Sequence, residues 1–286
     1  RRCAPGGSWS PCVALVTWLL FGVLPAVAAM LLGVGVGGSR WFALAFAAAI
    51  CVPAALAKGW PDWLWQLDFV HGAPREALWW TLVIGGVLGT VYDFRLLPKS
   101  LALVLESVLV AMLPWFLSSP LRASWSFEEC ALFLVTVSAV VTVLWFGLRQ
   151  AAKRLPGLPV PLAMMIALGV DAWLLFQHAA GPDWQLAGVA SVALGVAVMT
   201  ASWHRPFVCG SGAVLCLALA HSGLLLAGRN EQELLQVPLI LAWLAPAPML
   251  VAVLPWFRQH ARISACLSVL AVGACGGLAV WVSVRG

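Results

Sequence analysis

Apolar residues fall along this chain in long unbroken runs, punctuated by short stretches of basic residues, proline and glycine. Ten runs stand out, at 12–35, 41–58, 78–94, 100–118, 128–148, 159–180, 185–202, 207–227, 237–255 and 262–283. Each is close to the roughly 20 residues that carry a helix across the hydrocarbon of a bilayer. The runs do not alternate apolar with polar positions as barrel strands do, so they predict helices. Most connections are short. The exception is residues 58–77, where Trp60, Trp63 and Trp65 are mixed with Asp62, Asp68 and His71. That composition predicts a helix lying at the membrane surface. The expected fold is an all-α integral membrane protein. It forms a single polytopic domain over 1–286, a bundle of about ten transmembrane helices.

Composition agrees. Of the 286 residues, 63% are hydrophobic and 9% charged, against about 45–50% and 25% in soluble domains. A soluble enzyme, a disordered chain and a nucleic-acid module are excluded, and the lipid bilayer is the expected partner. The eight cysteines form no Cys-x-x-Cys pair, and most lie inside apolar runs, where cysteine packs as a small hydrophobe. The chain starts at Arg1 and not at Met, which leaves room for a segment upstream.

Charge sets an orientation. Alternate connections carry Arg40; Arg95 and Lys99; Arg149, Lys153 and Arg154; Arg205; and Arg258 and Arg262, with Asp93 the one acid among them. The other face holds seven basic residues and eight acids. The positive-inside rule makes the first set cytoplasmic and places both termini outside, in a multi-pass protein of the inner (plasma) membrane. Spans four and nine also echo each other, with VLVAMLPWF at 108–116 and MLVAVLPWF at 249–257. Two such spans run in opposite directions, as in an inverted-repeat transporter.

Two acids fall inside spans, Glu106 and Asp171. Intramembrane carboxylates mark ion paths, proton relays or substrate pockets, so together they are a candidate transport site for a small solute or lipid. A second candidate lies at a helix end. Span three finishes in Tyr92-Asp93, a basic turn with Pro98 and Lys99 follows, and a new apolar helix begins. This puts a carboxylate and cations at the membrane surface, the depth of a lipid phosphate and a hydrated Mg2+.

The stretch from Gly89 to Leu101 resembles the polyprenyl-phosphate N-acetylhexosamine-1-phosphate transferases (glycosyltransferase family 4), which include phospho-N-acetylmuramoyl-pentapeptide transferase. That family carries a Gly-x-x-Asp-Asp turn and a Leu-x-x-x-x-Lys helix start after its third span. Here Tyr92 replaces the first Asp and Asp93 matches the second. Three further segments fall in register: FGLRQAAKRLPGLP (146–159), HRPFVCGSGAVL (204–215) and LAPAPMLVAVLPWFRQHARI (244–263). The family's other acids in them are missing; Gln150, Phe207, Gly210, Ser211 and His260 are the positions that match. The resemblance implies a transfer of sugar-1-phosphate from a UDP-amino sugar to polyprenyl phosphate in the cell envelope, with Mg2+ as cofactor. It implies Asp93 and His260 as catalytic residues and Asp93 as the metal ligand. It further implies Lys99, Lys153, Arg154, Arg205, Ser211 and Arg258 on substrate phosphates.

Two other arrangements compete. Tyr92-Asp93 followed by Leu-Leu-Pro98 is similar to the first motif of the intramembrane prepilin peptidases, and Leu168-Gly169-Val170-Asp171 to part of the second, which would make Asp93 and Asp171 an aspartyl dyad. Ser211 and His221 resemble a rhomboid serine–histidine pair only in composition. Ten residues of helix put them some 15 Å apart along the axis.

Overall fold

The computed structural model describes residues 19–36, 38–58, 74–118, 125–155, 157–177, 183–203, 208–232, 236–254 and 260–285. Every regular element among them is helical. The chain opens with a π-helical turn at Leu19–Val23, α1 at Leu24–Met30, another π turn at Leu31–Val36 and a 3-10 turn at Gly38–Trp41. It continues with α2 (Phe42–Lys58), α3 (Pro74–Asp93), α4 (Lys99–Leu117) and α5 (Phe127–Arg154). Then come α6 (Pro159–Gln177), α7 (Asp183–Trp203), α8 (Ser211–Gln232), α9 (Gln236–Leu244) with a 3-10 continuation at Ala247–Val253, and α10 (Ala261–Arg285). Each expected run overlaps one helical segment. By length and composition α4, α5, α6, α7, α8 and α10 suffice to cross a membrane, and the other four runs form shorter apolar helices. Most of the surface helix expected at 58–77 lies outside the described residues; Lys58 ends α2, and 74–77 begin α3.

Local chemistry explains the helix ends nearest the polar clusters. α5 starts at a capping box: the Ser126 hydroxyl accepts from Glu129 N–H, and the Glu129 carboxylate accepts from Ser126 N–H at 3.0 Å. α3 ends in a Schellman turn, in which Leu96 N–H donates to Val91 C=O and Arg95 N–H to Tyr92 C=O. Arg95 takes the left-handed position with φ 59°, a place that ordinarily selects glycine. α9 stops because Pro246 and Pro248 bring no N–H to its last carbonyls. The backbone tightens into 3-10 geometry instead, Ala245 N–H donating to Ala242 C=O and Met249 N–H to Pro246 C=O. The paired sequences at 108–116 and 249–257 therefore differ in form. The first is regular α-helix inside α4, while 249–253 belong to the 3-10 segment.

α8 is the axis of the bundle. Its apolar stretch is 94% buried, against 28% in α5 and in α10, and it packs against α2, α3, α4, α5, α6, α7 and α9. Small residues make this possible. A Cβ added at Gly89 would lie 2.7 Å from the Gly212 Cα, and one at Gly85 would lie 2.7 Å from the Leu219 side chain. Gly223 faces Leu78 further along, so α3 and α8 cross antiparallel with backbones in contact. Lipid tails give helices no hydrophobic reason to associate, so close van der Waals packing at small residues carries the association. At Gly277 on α10, by contrast, a Cβ would meet nothing within 4 Å.

Gly212→Val should therefore destabilise the folded protein by at least about 2 kcal/mol, the scale of core overpacking, while Gly277→Val leaves it unchanged. Thermal unfolding of both variants in one detergent checks this; equal midpoints would refute the packing.

Candidate functional site

Two polar clusters lie along α8, one at its N-terminal end and one at mid-length. The first is assembled by the α3–α8 crossing. Gly89 against Gly212 brings the last residue of α3, Asp93, over the first turn of α8. Asp93 Oδ1 accepts from Gly212 N–H at 3.5 Å, a long bond, while Oδ2 is buried with no hydrogen-bond partner among the described residues. Gly210, the residue before the helix, has no side chain with which to cap it. A Cβ there would run into the Asp93 carboxylate. Asp93 thus caps α8 from another helix, its negative charge set against the positive end of the helix dipole.

Arg149, in the last turns of α5, joins this end together. Its Nη1 donates to Glu106 Oε2 of α4 at 2.7 Å, with the two side chains 5% and 1% exposed. Its guanidinium lies 5.1 Å from the Tyr92 ring centre and 5.4 Å from that of Trp145, geometry in which cation–π attraction acts. Arg149 and Arg40 also act electrostatically on Asp93, and Lys153 on Glu106. One end of the bundle therefore holds Asp93 and Glu106 under the influence of each other and of Arg149, with Arg40 also acting on Asp93 and Lys153 on Glu106.

The second cluster is in the core. His221 Nδ1 and Asp171 Oδ2 are 2.6 Å apart, both side chains 0% exposed. His221 Nε2 lies 3.3 Å from the Trp243 carbonyl oxygen. The Trp243 indole N–H donates to Ser222 Oγ at 3.1 Å, so α6, α8 and the end of α9 are joined through side chains.

The structure sorts the candidates accordingly. It brings Asp93 and the 208–212 turn together, with Ser211 as the first residue of α8. Lys99 opens α4, and Lys153 and Arg154 close α5. Arg154 Nη1 is buried without a hydrogen-bond partner among the described residues. His260 is exposed in the turn before α10, and Arg205 and Arg258 lie outside the described residues. Glu106 and Asp171 are each taken by a base of their own, on different helices. Asp93 sits at Gly212 and Asp171 at His221, nine residues apart on α8. That is about 13 Å along the axis, too far for an aspartyl dyad. Arg149 is the residue that sequence reasoning missed, and His221 was weighed there only against Ser211, not against Asp171. Arg149 counted only as a loop cation because span five was expected to end at 148, whereas α5 runs on to Arg154. His221 carried a usable signal, an ionisable side chain in the middle of an apolar run.

Few protein oxygens stand ready for the expected Mg2+. Among the described residues no three His, Cys, Asp or Glu side chains are grouped to hold a metal ion. Asp93 Oδ2 and Glu106 Oε1 are buried without a hydrogen-bond partner among the described residues, while Glu106 Oε2 is bound to the Arg149 guanidinium. A Mg2+ at this end would take most of its oxygen ligands from water and substrate phosphates, with Asp93 as the carboxylate that would hold it.

Removing one partner of the Glu106–Arg149 pair strands a buried charge, which costs about 3–5 kcal/mol. Arg149→Met should lower stability by that amount in chemical unfolding, and adding Glu106→Leu in the same chain should restore most of it. A double variant no more stable than the single one would mean that the pair does not bind the helices together.

Comparisons with protein families, with curated proteins and with solved structures return no match to this chain.

Proposed function

We propose that this chain is a diverged phosphoglycosyl transferase-like membrane protein. Its basic end takes a polyprenyl phosphate and a UDP-amino sugar and moves the sugar-1-phosphate onto the lipid. The observation that carries this reading is the meeting of Asp93 with the Gly210–Gly212 turn, 119 residues apart in sequence. These are two of the segments whose motifs resemble the family's. The reading takes all ten helical segments as spans of the inner (plasma) membrane, with the basic end cytoplasmic and the termini outside.

In this reading the reaction is a displacement at phosphorus. A phosphate oxygen of the lipid attacks the β-phosphorus of the UDP-sugar, the bond to the α-phosphate bridging oxygen breaks, and UMP leaves. Such transfers are catalysed by positioning and by neutralising charge. Lys99, Lys153 and Arg154 meet the phosphates at the interface, where cations favour anionic headgroups. Arg258 and Arg205 add to them, the Ser211 hydroxyl stands at the helix start, and His260 contacts the diphosphate. Asp93 fixes the α8 turn on which the nucleotide rests. No step is assigned to a metal.

The test uses the full chain in lipid nanodiscs with sugar-labelled UDP-N-acetylglucosamine, undecaprenyl phosphate and Mg2+ in the buffer. Labelled lipid and UMP should appear together, and Asp93→Asn should slow their formation on the order of 100-fold, the scale of a misplaced binding turn. Absence of labelled lipid, or turnover equal in Asp93→Asn, would overturn the reading.

A further inference from the structure

We propose that Asp171 and His221 form a proton-binding site in the core of the bundle, and that their single shared proton ties α6 and α8 to the broken end of α9. This inference does not rest on the transferase reading. Both side chains are fully buried, and the second carboxylate oxygen, Asp171 Oδ1, has no hydrogen-bond partner among the described residues. The two ends of the pair define how many protons it holds. The Trp243 carbonyl oxygen can only accept, so the proton facing it belongs to His221 Nε2. That leaves His221 Nδ1 and Asp171 Oδ2, 2.6 Å apart, with one further proton between them. Whether it lies nearer nitrogen or nearer oxygen within that short bond, the pair carries no net charge.

Any other proton count breaks the arrangement. Without the shared proton, the Nδ1 lone pair faces a carboxylate oxygen across 2.6 Å. With one more, a net positive charge stands in apolar surroundings where burying charge is expensive. Among the described residues no other charged side chain acts on the pair. Asp171 and His221 are acted on by each other, and His221 also by the Trp243 backbone. The ionisable groups of the elements packed around them sit at other levels. Arg149, Glu106, Lys153 and Asp93 lie toward the α8 N-terminal end, and Arg229 is eight residues beyond His221, about 12 Å along the helix. Arg40 of the turn before α2, and Arg262 and Arg285 of α10, are at helix ends.

The mechanical consequence falls on α9. Trp243 is the next-to-last residue of its α-helical part, and the chain leaves helical geometry at Ala245-Pro246. Its carbonyl is held by His221 and its indole by Ser222, so neighbouring residues of one helix hold the last turn before the break. The 3-10 segment beyond it packs Leu250 onto Gly147 of α5. Gain or loss of the proton therefore loosens the joint at which the ninth segment passes from α-helix to 3-10 geometry.

The test uses the full chain with His71, His178, His204 and His260 replaced by Gln, leaving His221 the sole histidine, labelled with nitrogen-15 in nanodiscs. Nε2 should resonate as a protonated nitrogen, and Nδ1 between the protonated and bare positions. Asp171→Asn keeps a hydrogen bond to Nδ1 but removes the shared proton, so Nδ1 should move to the bare position. Amide exchange over 236–254, corrected for its intrinsic pH dependence, should show a protected pH interval in the native chain that is absent in Asp171→Asn. Identical nitrogen spectra, or identical exchange profiles, in the two proteins would overturn the proposal. Should Asp171→Asn fail to fold, the native spectrum alone still decides: a bare Nε2 or a fully bare Nδ1 refutes the shared proton.

Discussion

The contact between the backbones of Gly89 and Gly212 is the constraint from which the rest of the structure follows. Any side chain at either position would drive α3 and α8 apart. α8 then could not sit at the centre of the other helices, because its burial depends on neighbours that approach to backbone distance. Asp93, four residues beyond Gly89, would lose the Gly212 N–H, and the start of α8 would lose its cap. In a lipid environment this packing has no hydrophobic effect to replace it. The site at the basic end is thus a product of helix packing before it is a product of charge.

The two ion pairs show how a chain with so few charges places them. Glu106 and Asp171 are both buried, and each has one base directly against it: a guanidinium for the first, an imidazole for the second. The difference has consequences. Arg149 is permanently charged and braced by Tyr92 and Trp145, so its pair is a fixed joint among α3, α4 and α5. His221 is a group that exchanges protons, so its pair can change state. One end of α8 is therefore fastened, and its middle is the place where the bundle responds. Among the described residues the same scarcity leaves Asp93 as the one acid at the basic end without a base bonded to it.

Helix positions were legible in the sequence because the length of an apolar run is a property of the chain read in one dimension. The meeting of Asp93 with the 208–212 turn was legible only through motif resemblance, since no spacing rule relates positions 119 residues apart. Arg149 was lost to a boundary. Six residues of extra helix carry it from a supposed loop into the bundle interior. His221 stood in plain view, but its partner lies 50 residues away on α6, and periodicity says nothing about which helix faces which. The prolines at 246 and 248 were visible too. What hid the break in α9 was hydropathy, which scores 237–255 as one continuous span regardless of whether its backbone can stay helical.

The convergence at the N-terminal end of α8 is open to direct measurement by disulfide formation. In a chain whose native cysteines are replaced by alanine, Asp93→Cys with Gly210→Cys places two thiols where a Cβ at 210 already meets the side chain of residue 93. Mild oxidation of the folded protein in nanodiscs should join them to near completion, whereas Asp93→Cys with Asp171→Cys should stay unjoined, about 13 Å apart along α8. A 93–210 pair that fails to form, or a 93–171 pair that forms as readily, would contradict the arrangement of α3 on α8 on which the site depends.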